Sequence, residues 1–245
     1  MKKRRLFSLF LSFALLLPLF SLTSADAYED FTLDAKAGLL IEADTGEILY
    51  EKNAHQENFP ASLTKVMVAL LVFEAIDEGK IALTDSVTAT ESAFEGLSSD
   101  GSTANIVPGE TMTVEQLLNC MLIVSANEAC NILGETLYGS VDAFVARMNE
   151  RAAELGCEHT HFANATGLHN SQHYTTAWDL YLITREAMKH DKFMEICNSK
   201  SYTVPATNMT DKPRELHSTN FLISNWRARG YVYRDAQGIK TGSTP

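Results

Sequence analysis

Pro60-Ala61-Ser62-Leu63-Thr64-Lys65-Val66-Met67-Val68-Ala69-Leu70-Leu71-Val72-Phe73 is the stretch on which the fold turns. Its apolar residues recur at helical spacing behind a proline approach, which predicts a helix with Ser62 at its start and a stop near Gly79. Ser62 and Lys65 then stand at i and i+3 and share one face, about a turn apart. Upstream, Leu39, Leu40 and Ile41 and then Ile48, Leu49 and Tyr50 flank Asp44-Thr45-Gly46, which predicts a β-hairpin. Downstream, Thr113-Val114-Glu115-Gln116 carries a capping-box pattern ahead of an apolar helix face. That helix breaks at Ser125-Ala126-Asn127 before a second helix with Ala129, Ile132, Leu133 and Leu137, so Ser125 falls at an inter-helix junction. Further helices are expected from about Val141 to Leu155, ended by Gly156, and from Thr176 toward Met188.

Strand-like pieces follow at Ser201 to Val204, His217 to Ile223, Gly230 to Tyr233 and Gly238 to Ser243. Strands at both ends with helices between predict an α/β sandwich whose sheet joins the N- and C-terminal segments. A mainly helical subdomain, about residues 80–190, would form the opposite wall of a cleft.

Three short strings carry the chemistry: Ser62-Leu63-Thr64-Lys65, Ser125-Ala126-Asn127 and Lys240-Thr241-Gly242. S-x-x-K alone arises by chance about once in a few hundred residues, whereas K-T-G arises about once in a few thousand. Ser218-Thr219-Asn220 is a second S-x-N, but it precedes a strand-like run, so the first copy takes the catalytic assignment. A serine hydroxyl needs a base to take its proton. Lys65 can be that base if burial and a second cation, Lys240, lower its pKa, giving a Ser–Lys dyad. Ser125 could relay a proton between Lys65, Lys240 and a leaving amine. Asn127 offers a donor and an acceptor to a peptide amide. Lys240 and Thr241 suit a substrate carboxylate, Gly242 permits close approach of the backbone, and the N–H groups of Ser62 and Ser243 would form an oxyanion hole. An acyl group followed by a free carboxylate describes a peptide C-terminus.

On these motifs the chain resembles the D-alanyl-D-alanine carboxypeptidases, low-molecular-mass serine-type penicillin-binding proteins. Further matching segments are Ala37-Gly38-Leu39-Leu40 with Asp44-Thr45-Gly46, Pro60 to Lys65, Val107-Pro108-Gly109-Glu110, and Gly167-Leu168 followed by His173-Tyr174-Thr175-Thr176. The resemblance implies a β-lactamase/transpeptidase-like sandwich with an antiparallel sheet and a helical subdomain. It implies removal of the terminal D-alanine from peptidoglycan stem peptides ending in D-Ala-D-Ala, through an acyl-enzyme on Ser62, with no cofactor and with acylation by β-lactam antibiotics. Members of the family continue past K-T-G with more strands, a closing helix and an arginine for the substrate carboxylate. This sequence stops three residues after K-T-G, and is therefore expected to be a fragment in which those strands and that helix are missing. The rival enzyme is a serine β-lactamase, although class A members carry S-D-N and a separate deacylating Glu, whereas Ala126 stands in the middle here. A third reading is a non-catalytic wall-binding or β-lactam-sensing module.

At the N-terminus, Lys2 to Arg5, an apolar run from Leu6 to Leu22 and Ala25-Asp26-Ala27 predict an export signal over residues 1–27, leaving 28–245 as the peptidase domain. The protein is thus expected outside the cytoplasm, in the cell wall or at the outer face of the membrane, with membrane attachment only through a segment beyond Pro245. The formal net charge is −11; loss of four basic residues and one acidic residue with the signal makes it −14. Such acidity excludes nucleic acid as a natural partner. Cys120 and Cys130 lie in apolar helical patterns and read as buried thiols. Cys157, His159 and His161, with His169 and His173, fit no standard zinc spacing, and no metal is expected. His173 is expected to bond backbone and shape the cleft floor, and Asp179 to cap a helix.

Overall fold

The computed structural model describes residues 32–243, so the export-signal reading of residues 1–27 lies outside them. Strands Gly38–Ile41 (β1) and Ile48–Lys52 (β2) pair antiparallel, with an irregular register between Leu40 and Ile41. Gly46 closes their turn at φ 76°, and the Glu42 carboxylate accepts from the backbone N–H of Thr45 at 2.6 Å.

Ser62 sits in a 3₁₀ turn, Ala61–Thr64, and the α-helix proper (α1) runs Lys65–Asp77. Every residue from Val66 to Phe73 is buried. A helix apolar on all sides must be a central one, and α1 contacts the helices Val114–Ile123 (α2), Asn127–Tyr138 (α3), Val141–Glu154 (α4) and Ala177–Ala187 (α5). The Lys65 side chain is thereby drawn into the core of the molecule.

The helical wall follows its sequence signals closely. Thr113 and Gln116 form a complete capping box on α2, Ser140 caps α4 and Thr176 caps α5. Gly139 and Gly156 take left-handed conformations just past α3 and α4. Helices α3 and α4 meet where Gly134 faces Phe144; a Cβ there would lie 2.4 Å from the Phe144 ring. Strands Ser86–Thr88 (β3) and Thr111–Thr113 (β4) pair as a small ribbon. Helix Asp191–Cys197 (α6) leads to the hairpin Ser201–Val204 (β5) and Arg214–His217 (β6), which rests on α2.

The C-terminal part departs from expectation. Among the described residues no ladder includes 218–243, so the strands expected over His217 to Ile223, Gly230 to Tyr233 and Gly238 to Ser243 are not formed. Nor, among the described residues, does a sheet join the N- and C-terminal segments. Between Ser218 and Leu222, and at Gly238, side chains take backbone N–H groups that a ladder would use. Ser218 Oγ accepts from the N–H of Asn220 at 3.2 Å, Asn220 Oδ1 from that of Leu222 at 3.0 Å, and Asn198 Oδ1 from that of Gly238 at 2.6 Å. Residues of β1 and Ile239 line one groove of about 980 Å³, which separates them.

Candidate active site

The 3₁₀ turn brings Ser62 beside Lys65, and long-range contacts complete the environment of the amine. Lys65 Nζ lies 3.2 Å from Ser62 Oγ, 2.8 Å from Asn127 Oδ1 and 2.5 Å from the Thr166 carbonyl oxygen. Two of these partners, the amide oxygen and the backbone carbonyl, can only accept. A neutral amine would spend its two N–H bonds on them, leaving its lone pair for the one partner able to donate, the Ser62 hydroxyl. Lys65 is fully buried. Burial pushes its pKa down, while Cys130 and Glu128 oppose that shift; the Cys130 thiol, raised to about 11 by its own burial, stays neutral near pH 7. The arrangement can move a proton from serine to lysine.

Lys240 is half-buried and donates to the carbonyl of Thr241 at 2.8 Å. Burial and then the nearby Lys65 charge lower its pKa to about 7. Thr241 Oγ1 lies 2.7 Å from Thr219 Oγ1, and Asn220 Nδ2 donates to Gly238 at 2.7 Å. The second S-x-N, Ser218-Thr219-Asn220, is thus the clamp on the K-T-G segment, a role its sequence does not announce. Thr219 also donates its N–H to the Ile123 carbonyl at 3.2 Å, tying that clamp to the end of α2. Gly242 is needed for packing: a Cβ there would meet Leu63 Cγ and the Pro60 oxygen at 3.2 Å each.

Ser125 stands between α2 and α3 with φ 68°, its buried Oγ without a hydrogen-bond partner among the described residues. A left-handed non-glycine residue costs about 1–2 kcal/mol, and an orphaned buried hydroxyl about 1–3 kcal/mol. The neighbours hold it there, for Ala126 donates to the Cys120 carbonyl at 3.1 Å and Asn127 to that of Ser102 at 2.9 Å. Strain and an unused hydroxyl at one position are a hallmark of functional residues.

Ser62, Asn127 and Ser243 open onto one cleft of about 440 Å³. Its lining includes His173, where the sequence reading put it, and Thr166 and Gly167, which motif reading does not weigh as site components. Gly167, at φ 85°, presses on the nucleophile turn so closely that a Cβ would fall 1.9 Å from the Ala61 oxygen. Asn164 Oδ1 accepts from the N–H of Thr166 at 3.1 Å and of Gly167 at 2.8 Å, fixing the carbonyl that Lys65 uses. His173 accepts from the Ala163 N–H through Nδ1 at 3.0 Å, so its Nε2 carries the proton toward Thr64 Oγ1 at 2.7 Å. Thr64 Oγ1 in turn donates to the Ala61 carbonyl at 2.8 Å.

The profile of the D-alanyl-D-alanine carboxypeptidase family matches residues 23–245. The chain belongs to that family. Among its relatives, the D-alanyl-D-alanine carboxypeptidase DacF of Bacillus subtilis (strain 168) is 39% identical over 211 residues, which are 86% of this chain and 51% of that protein. DacC of Escherichia coli (strain K12) is 32% identical over 218 residues, 87% of this chain and 51% of that protein. The chain therefore spans about half the length of these curated relatives. The crystal structure of the Streptomyces K15 DD-transpeptidase superposes with a TM-score of 0.78 at 30% identity, covering 89% of this chain and 83% of that one. Penicillin-binding protein 5 of Haemophilus influenzae gives 0.72 at 29% identity, covering 80% and 55%. The carboxypeptidase family fold is thus an α/β one, as expected. Three other expectations resolve in detail. His159 lies 3.3 Å from Glu57, and His161 turns to the Gln172 carbonyl, so these rings go to separate partners. The cap of α5 is Thr176, whereas Asp179 Oδ2 accepts from the N–H of His159 at 2.9 Å and from the hydroxyl of Thr160 at 2.7 Å. Cys120, Cys130, Cys157 and Cys197 are all buried and unbridged.

Proposed function

We propose that the protein is a serine D,D-carboxypeptidase of the cell wall that removes the terminal D-alanine from peptidoglycan stem peptides and is acylated by β-lactams. The observation that carries this reading is the buried Lys65 amine, which has, among the described residues, two obligate acceptors and the Ser62 hydroxyl as its one partner able to donate. Ser62 attacks the carbonyl carbon of the penultimate D-alanine as its proton passes to Lys65 Nζ. The N–H groups of Ser62 and Ser243 receive the oxyanion. Lys240 and Thr241 hold the terminal carboxylate, and Asn127 holds the acyl amide. Ser125 passes a proton to the departing D-alanine amine as the C–N bond breaks and takes one in turn from the Lys65 ammonium, leaving an ester on Ser62 and a neutral Lys65. Water then attacks that ester, giving its proton to Lys65, which hands it to Ser62 Oγ as the ester C–O bond breaks, and the shortened peptide leaves with the nucleophile restored. The export-signal reading of residues 1–27 supports an extracytoplasmic location for this activity; among the described residues no helix is long and apolar enough to cross a membrane.

The test is intact-mass spectrometry of the full-length protein after exposure to benzylpenicillin, with D-alanine release from a D-Ala-D-Ala peptide measured beside it. A single penicillin adduct and D-alanine release, both lost in Ser62→Ala, are expected. Absence of both from the wild type, or an adduct that persists in the variant, refutes the assignment. Rapid turnover of penicillin without D-alanine release would make the protein a β-lactamase instead.

A further inference from the structure

The cleft that contains Ser62 has one carboxylate among its described lining residues, Asp100. Its other titratable side chains are His169, which packs edge-on against Phe59 at 4.6 Å between ring centres, and His173, which is engaged with Thr64 and Ala163. Asp100 is exposed and makes no salt bridge among the described residues. The Ser98 hydroxyl donates to its carboxylate and keeps its pKa below the ordinary value, so the negative charge is present throughout the neutral range.

The loop bearing this charge is fastened to the catalytic wall. Gly101 donates its N–H to the Ser98 carbonyl at 3.1 Å, closing a turn around Asp100. A Cβ on Gly101 would lie 2.7 Å from Asn127 Nδ2, so the loop rests on the residue that also bonds Lys65. On its far side, the buried Glu128 carboxylate accepts from the Thr103 hydroxyl at 2.7 Å and the Ala104 N–H at 2.8 Å. Asn127 and Glu128 open α3, so one helix start positions both the dyad's amide partner and the loop that carries the acid. An unpaired charge held in this way, in the cleft of the nucleophile, has a fixed place relative to bound substrate. In the D,D-carboxypeptidase reading, on which this inference rests, Lys240 and Thr241 take the terminal carboxylate. The acyl portion of the peptide is what remains to meet the 98–102 loop.

We infer that Asp100 is a specificity residue that reads a positive charge on the acyl side of the substrate, favouring stem peptides whose residue before the penultimate D-alanine carries a free side-chain ammonium. The closing experiment compares Nα-acetyl-L-Lys-D-Ala-D-Ala with its Nα,Nε-diacetyl counterpart, measuring kcat/KM for D-alanine release by the full-length protein. The free-amine peptide should be preferred roughly threefold, the scale of a solvent-exposed ion pair, and the preference should shrink with added salt. The ratio should fall to about one in Asp100→Asn and drop below one in Asp100→Lys. General damage to the loop would lower both rates and leave their ratio alone. Equal rates in the wild type, or a preference that survives Asp100→Asn, would overturn this inference and leave the carboxypeptidase reading standing. Failure of the wild type to release D-alanine from either peptide would overturn both.

Discussion

Acidification should unfasten the nucleophile turn through His173. The ring is 2% exposed, and burial, then His161 and Lys65, push its pKa from 6.5 down to about 4. Geometry explains the direction: Nδ1 already accepts the Ala163 N–H, so a second ring proton would set donor against donor. The unfolded chain titrates at the ordinary value. Between pH 6.5 and 4 it therefore binds a proton that the folded chain refuses, and stability falls as pH falls. Each unit of separation is worth about 1.4 kcal/mol, so the linked loss is about 2 kcal/mol at pH 5, about 3 kcal/mol at pH 4, and close to nil above pH 7. The assay is urea unfolding across that range for the wild type and His173→Gln, with histidine ring carbons followed by NMR in the folded wild type. The wild type should lose about 3 kcal/mol relative to the variant between pH 7 and pH 4, and one ring should stay neutral at pH 5. A difference that does not vary with pH, or folded-state titration of all rings near 6.5, would refute the reasoning.

Gly167→Ala should be far worse than a surface glycine change, because the added carbon meets the Ala61 carbonyl at 1.9 Å and φ is 85°. The left-handed backbone alone costs about 1–2 kcal/mol, and relief of the clash must shift the Ser62 turn; penicillin acylation should slow, whereas Ser243→Ala, which keeps the backbone N–H assigned to the oxyanion, should leave it largely intact. Glu110 is buried and takes the Arg214 guanidinium together with the Thr207 hydroxyl at 2.7 Å. Glu110→Ala leaves that guanidinium uncompensated and should cost about 3–5 kcal/mol in urea unfolding, whereas Lys80→Ala, which removes a solvent-screened exposed pair with Glu78, should leave the urea midpoint essentially unmoved. Lys240, with its pKa at about 7, should take up a proton when an anionic carboxylate binds near neutrality. Calorimetry of a carboxylate inhibitor in buffers of different ionisation enthalpy should show that uptake in the wild type and none in Lys240→Arg, whose guanidinium is charged throughout.

What could be read from sequence, and what could not, divides along the range of the interactions. Ser62 and Lys65 are three residues apart, so local helical geometry was enough to bring them together. Thr113 with Gln116, Ser140 and Thr176 cap their helices through bonds spanning three residues, and these too were legible or nearly so. The acceptor that most constrains Lys65 is the carbonyl of Thr166, 101 residues away. A backbone oxygen leaves no trace in residue identity, and neither does the demand for a bare α-carbon at Gly167 until its neighbour is known. The strand reading of 217–243 failed for a related reason. Apolar alternation is visible in a sequence, but the competition of Ser218, Asn220 and Asn198 for backbone partners is decided only in three dimensions.

That division also explains why the dyad cannot be reduced to its motif. A lysine three residues after a serine on an exposed turn would stay protonated and inert. Three tertiary contributions alter it: the all-apolar α1 that carries its side chain inward, the Asn127 amide from the start of α3, and the Thr166 carbonyl held by Asn164. Each removes a degree of freedom from the amine. Burial disfavours its charge, and two acceptor-only partners direct its remaining valence at Ser62. The same α3 start that supplies the amide also anchors the Asp100 loop. A change that loosens this helix start should therefore degrade nucleophile activation and substrate choice together, whereas Asp100→Asn should alter choice alone.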